Sequence, residues 1–170
     1  MAEQDKRELV KQYAEEAFAS GHSCAEAVFD ALVRAGVASP PEGSISMLSG
    51  FGGGVGLSGY TCGALSGAIM AVGSKHGRDP NKTDASERGS ELYNGYYRLY
   101  NNLLHKFAES SGGALCREIT EGTGEWSGPT RKGTCKKVVG DAVQLAYDFL
   151  QMSKEEAYAM PYGENMAGAK

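Results

Sequence analysis

The chain has 170 residues, enough for one domain with a sizeable core and no need of disulfide staples. Its 17 Lys and Arg against 21 Asp and Glu leave a net charge of −4 with no basic block, which argues against a nucleic-acid partner or an anionic membrane. No apolar run approaches the roughly 18 residues of a bilayer span, and no apolar segment follows the N-terminal Met-Ala-Glu-Gln-Asp-Lys-Arg, so a cytoplasmic setting is expected. In a reducing compartment the four cysteines are expected as metal ligands or redox thiols rather than as disulfides. Glycine, at 24 residues, stands at about twice its usual share, so many backbone positions need close approach or positive φ.

The hydrophobic period is helical almost throughout. Leu9, Val10, Tyr13, Ala14, Ala17 and Phe18 form an i, i+3, i+4 stripe that predicts a first helix from about Glu3 to Ser20, stopped by Gly21. A second helix is predicted from about Cys24 to Ala35, with Ala27, Val28, Ala31 and Leu32 inward, before a loop at Pro40-Pro41. Residues 50–59 (GFGGGVGLSG) are too glycine-rich for a regular element. A third helix, from Cys62 to about Ser74, is apolar on nearly all sides and small-residue-rich, which predicts a central, buried position. Gly63, Gly67 and Ala71 recur at four-residue spacing along it; this face suits close packing within the chain, with a homodimer contact as the alternative.

The polar stretch Asp79–Thr83 is expected to cap a fourth helix from about Asp84 to Glu109, with Leu92, Tyr96, Leu99, Leu103 and Phe107 inward and a tyrosine stripe read as core packing. A short helix over 114–120 is expected next, then a loop with Gly, Trp126 and Pro, then a fifth helix from Cys135 to about Gln151. Ser153-Lys154-Glu155-Glu156 caps one further turn, and the residues after it read as disordered. Neither a strand pattern nor a repeat is evident. The expectation is a single all-α domain over 1–152, a bundle of about five helices with a Gly-rich loop, and a C-terminal tail, partly disordered, over 153–170.

Chemistry concentrates at Cys24, Cys62, Cys116 and Cys135. No CxxC occurs, so neither a thioredoxin-type site nor a two-knuckle zinc ribbon is indicated. Ser23-Cys24-Ala25-Glu26 is a capping box, which puts Cys24 at the first helical position. Thr61-Cys62 and Thr134-Cys135 are expected to open the third and fifth helices in the same way. Unpaired amides and the helix dipole favour a thiolate there, lowering its pKa and improving it as ligand or nucleophile. Convergence of these helix starts would make a pocket for a thiolate cluster, and the flanking glycines Gly59, Gly63, Gly112, Gly113 and Gly133 let backbone amides approach sulfur.

The order Cys24, then Cys62-Gly63-Ala64-Leu65-Ser66-Gly67, then Cys116-Arg117-Glu118, then Cys135 resembles the C_GCAxxG_C_C family, which is named for suspected redox activity. Ser23-Cys24-Ala25-Glu26-Ala27-Val28 and the 50–54 glycine run support the match, which covers about Tyr13 to Leu150. Cys62 precedes Gly63 here, so the Gly-Cys-Ala order of the family label is transposed. A related domain is joined to a haem domain in split-Soret cytochromes, with which an iron–sulfur cluster has been associated. The resemblance therefore implies Cys24, Cys62, Cys116 and Cys135 as cluster ligands, of a [2Fe–2S] or [4Fe–4S] centre. There is no CxxCH for covalent haem.

Other signals weigh less. Residues 54–59 fit GxGxxG, but no predicted strand precedes them, so the segment is expected to pass the backbone close to the cysteine site rather than to bind a dinucleotide. His22, His76 and His105 are isolated. Arg131, Lys132, Lys136 and Lys137 form a small basic cluster around Cys135 that would offset cluster charge or dock an acidic partner, unless it is simply a solvated face. Trp126 lies where it would shield a cluster from water or anchor its loop. The functional expectation is an iron–sulfur electron-transfer protein serving a redox partner protein. The alternatives are a thiol–disulfide oxidoreductase or redox sensor, with Cys24 and Cys62 as the pair, and a structural zinc site held by all four cysteines.

Overall fold

The computed structural model describes residues 3–170. Five helices of eleven or more residues carry the architecture: α1 (Glu3–Ala19), α2 (Cys24–Arg34), α3 (Gly63–His76), α4 (Tyr97–Ser111) and α5 (Pro129–Gln151). The all-α expectation holds, but the count of about five is too low, because three short α segments join them at Arg88–Glu91, Cys116–Ile119 and Lys154–Tyr158, while Gly52–Val55 is a turn with positive φ at Gly53, Gly54 and Val55. Two 3-10 segments (Ser44–Phe51, Pro80–Lys82) and one π turn (Leu92–Tyr96) complete the helical inventory of the described residues. Nothing there forms a strand; the one β-bridge pairs Thr61 with Leu115.

Helix α1 packs on α2 and α5, α2 on α3, and α3 on α5, while α4 covers the outer side of α3 and α5. Val10, Val28, Leu32, Leu65, Val72, Leu103, Phe107, Val139 and Phe149 fill the space between them and are fully buried. Helix α3 is central, as its apolar circumference requires: nine of its fourteen residues are buried. A bidentate pair from Arg7 Nε and Nη2 to Asp148 (2.8 and 3.0 Å) joins α1 to α5, and Lys136 reaches Glu15 across the same seam at 3.2 Å. No described helix is long and apolar enough to cross a membrane.

Two helix boundaries differ from the sequence reading. The predicted fourth helix is interrupted: a short α turn at Arg88–Glu91 passes through the π turn before regular α4 begins at Tyr97. Gly95 sits in that π turn because the Tyr158 ring lies against it; a Cβ there would stand 3.0 Å from the ring. The fifth helix starts six residues earlier than expected, at Pro129, with Gly128 as its N-cap. Proline at N1 gives up no intrahelical hydrogen bond and carries a φ already suited to the helix.

The predicted capping box at Ser153 forms, with Ser153 N donating to Glu156 Oε2 at 2.7 Å and Glu156 N to Ser153 Oγ at 3.1 Å. Beyond it the chain lies along α4, where Asn101, Asn102 and His105 bond to the backbone of Glu164, Pro161 and Glu164.

His76, at the end of α3, is 3% exposed and its Nε2 meets the Phe149 carbonyl at 3.1 Å. Burial holds its pKa below the ordinary 6.5. The folded chain then binds fewer protons than the unfolded one near that value, so the contribution is full above about pH 6.5 and lost as pH falls towards the lowered pKa. Thermal unfolding followed between about pH 5 and 8 is expected to show Tm dropping on the acid side. In His76→Gln that acid limb should flatten; an unchanged limb would assign it to other groups.

Candidate functional site

Each cysteine is delivered by a different segment. Ser23 caps α2 as the sequence predicts: Glu26 N donates to Ser23 Oγ at 3.3 Å, Ser23 N donates to Glu26 Oε2 at 2.8 Å, and Cys24 takes the first helical position. Cys62 is not at the first position of α3. It is the N-cap itself, displaced by one residue because Thr61 is drawn into the bridge with Leu115. Cys62 N donates to Ala114 O at 2.9 Å, Cys116 N to Tyr60 O at 2.7 Å and Arg117 N to Gly59 O at 3.1 Å, so 59–62 and 114–117 zip together and fix Cys62 beside Cys116. Cys116 opens the short helix Cys116–Ile119. Cys135 is the clearest correction. It lies inside α5, almost two turns past Pro129, where helix-start amides cannot reach it.

All four nevertheless line one small cavity of about 10 Å³, together with Gly53, Gly63, Ala64, Ile119, Thr120 and Val138. It shares Cys24, Gly53, Cys116 and Cys135 with a larger cavity of about 620 Å³ that opens to solvent. No histidine or carboxylate lines the inner space. The thiols are free of disulfides; Cys62 and Cys116 are buried, Cys24 and Cys135 half-buried. Among the described residues, no group of three or more Cys, His, Asp or Glu side chains is in position to hold a metal ion.

Glycines let these elements meet. The backbone at 53–57 runs through five successive positive φ values: Gly53 65°, Gly54 69°, Val55 66°, Gly56 55° and Leu57 68°. It is a left-handed turn, a conformation that costs an L-residue about 1–2 kcal/mol. A Cβ on Gly54 would stand 2.6 Å from Tyr60 N and 2.7 Å from Cys116 Cβ, so this turn lies directly against the third cysteine, as expected of the glycine run. In α3, Gly63 faces the Phe51 carbonyl, Ala25 N and Cys24 Cβ, while Gly67 faces the Ala25 carbonyl. The spaced glycines thus serve packing within the chain: they bring the start of α3 onto the start of α2, and Cys62 to Cys24.

The sulfurs act on one another electrostatically. The interaction of Cys24 with Cys135 holds Cys24 as the thiol, its pKa well above the ordinary range, with burial adding to the shift. The same interaction, helped by the charge of Arg131, brings Cys135 down to about 7 against the opposing effect of burial. The strongest mutual influence is thus between Cys24 and Cys135, beside the Cys24–Cys62 pair that the sequence suggests. Burial pushes Cys62 up to about 11, although the Ala64 and Leu65 amides favour its thiolate. Arg131 lies one turn before Cys135 on α5. Its Nη2 donates to Cys116 Sγ at 3.5 Å, and its guanidinium carbon sits 4.0 Å over the Trp126 ring.

The sequence suggests Arg131 as an offset to cluster charge and Trp126 as a shield or a loop anchor; their joint place over the cysteines follows from the early start of α5. Phe18 and Leu57, which also line the larger cavity, carried no signal of a site.

Residues 22–149 match the model of the family described as "Putative redox-active protein (C_GCAxxG_C_C)". A protein of Archaeoglobus fulgidus, described as "Uncharacterized protein", is 27% identical over 150 residues, which is 88% of this chain and 99% of that protein. No solved structure matches. With a match that spans all four cysteines and most of the fold, the chain belongs to the C_GCAxxG_C_C family.

Proposed function

We propose that the four cysteines hold an iron–sulfur cluster and that the protein transfers single electrons through it to a redox partner. The observation that carries this reading is the convergence of four thiols, from four separate segments, on one inner space without a histidine or carboxylate. That donor set suits iron–sulfur centres, whose ligands are cysteine thiolates. Buried thiols that raise one another's pKa stay protonated unless a cation compensates them. Coulombic repulsion between sulfurs acts at Cys24 and Cys62, so a cationic inorganic core is what would make all four thiolates together.

When bound, such a cluster supplies reversible one-electron chemistry. The chain's own residues do the rest. Ala64 and Leu65 turn their amides to Cys62, Arg131 places a positive charge at Cys116, and Val138 and Ile119 give the inner space an apolar wall. Room for a bound group larger than a water comes from the adjoining 620 Å³ cavity.

The lowered pKa of Cys135 beside Cys24 in the same inner space favours one second reading, thiol–disulfide exchange. The Cys135 thiolate would attack a partner's disulfide, Cys24 would resolve the mixed disulfide, and the partner would leave as a dithiol while Cys24 and Cys135 end joined. Iron, acid-labile sulfide and zinc per chain, measured on anaerobically purified protein with its absorption spectrum, separate the readings. Matched iron and sulfide with visible charge-transfer bands are expected. Metal-free, colourless protein whose thiols oxidise in pairs would overturn the cluster and leave the exchange reading.

A further inference from the structure

The larger cavity has features that holding sulfur does not require. Its volume of about 620 Å³ falls in the range of small-molecule sites, about 300–1,000 Å³. Cys24, Cys116 and Cys135 are among its lining, and Phe18, Leu57 and Trp126 add apolar and aromatic surface. Leu57 and Trp126 are 68% and 55% exposed there. Leu57 and its neighbour Val55 hold positive φ, a cost for L-residues that persists where the surroundings or a function demand it. Two cations, Arg131 and Lys132, face the space against one carboxylate, Glu26, which is already held by the Ser23 amide. Arg131 covers one face of the Trp126 ring, and the Lys132 ammonium has no ion-pair partner among the described residues.

We infer that this cavity binds a small organic anion with a flat apolar body, its charge towards Arg131 and Lys132 and its ring against Trp126 and Leu57, so that it meets the cysteines. The inference rests on the redox reading for what the ligand meets at the cysteines; the binding itself depends only on the cavity. Aromatic surface beside paired cations suits a ring bearing a carboxylate or sulfonate and discriminates against a neutral or cationic ring.

Isothermal titration calorimetry with 2-naphthoate, naphthalene-2-carboxamide and acetate tests it on the full chain. One saturable 2-naphthoate site per chain is expected, about tenfold tighter than for the carboxamide and for acetate. Lys132→Gln, a change on the exposed side of α5, should weaken naphthoate about three- to fivefold and leave the carboxamide unchanged. Leu57→Ala should weaken both aromatic ligands. No saturable naphthoate binding, or equal binding by wild type and both variants, overturns the inference. Iron and sulfide are assayed on the same preparation: iron-free protein that binds naphthoate keeps this site and removes the cluster, whereas iron-loaded protein that binds none keeps the cluster and removes this site.

Discussion

Replacing any one of Cys24, Cys62, Cys116 or Cys135 by serine should strip the protein of iron and sulfide. Residues that only support metal ligands change metal affinity by about 10–100-fold when mutated, so loss of a ligand itself should cost more than that. The four variants are expected to behave alike, because all four side chains face the same inner space. Exchange chemistry predicts a different pattern: Cys24→Ser and Cys135→Ser would abolish it, while the Cys62 and Cys116 variants would keep the pair whose titrations are most strongly linked. Anaerobic metal analysis of the set, with circular dichroism to confirm folding, reads the difference directly. Two silent positions among the four would contradict a shared centre.

The second large effect is expected at Gly67, five residues after Cys62 on α3. A Cβ there would stand 2.4 Å from the Ala25 carbonyl and 3.0 Å from its Cα, and neither atom is at the end of a flexible side chain. Helices α2 and α3 would have to part, and overpacking of this kind costs about 2–4 kcal/mol. For a chain of this size that corresponds to a fall in Tm of roughly 5–15 °C. Parting the two helix starts also separates Cys24 from Cys62, so cluster content should fall with stability. Gly133 is the control. It lies within α5 in open space, so Gly133→Ala should raise stability by about 0.5–1 kcal/mol through helix propensity. A Gly67→Ala variant as stable as wild type would mean that close helix approach is not what the small-residue face secures.

Local signals in the sequence were legible where the deciding interaction lies within a few residues. The Ser23 and Ser153 capping boxes formed as written, because both partners of each hydrogen bond sit three residues apart. The small-residue face of α3 correctly placed that helix at the centre. Cys135 was misplaced for an equally local reason: Thr134 resembles a cap, yet Gly128-Pro129 upstream is a valid start, and nothing between them stops a helix except Gly133, whose helical cost is about 1 kcal/mol. Thr61 failed as a cap through a contact 54 residues away, its bridge to Leu115, which no local pattern encodes. The same pairing of 59–62 with 114–117 brings Cys62 to Cys116, so convergence of the cysteines became visible only in three dimensions. The glycine run announced unusual backbone, but Val55 and Leu57 gave no sign that they share its left-handed turn, since valine is among the residues least expected there.

Native mass spectrometry of anaerobically purified protein tests the central claim, that four cysteines jointly hold one cluster, most directly. The account predicts a single folded species heavier than the bare chain by the mass of one intact iron–sulfur cluster, with no unmodified thiols left to alkylate. A species at the bare-chain mass, or one lighter by the hydrogens lost to a Cys24–Cys135 disulfide, would contradict it.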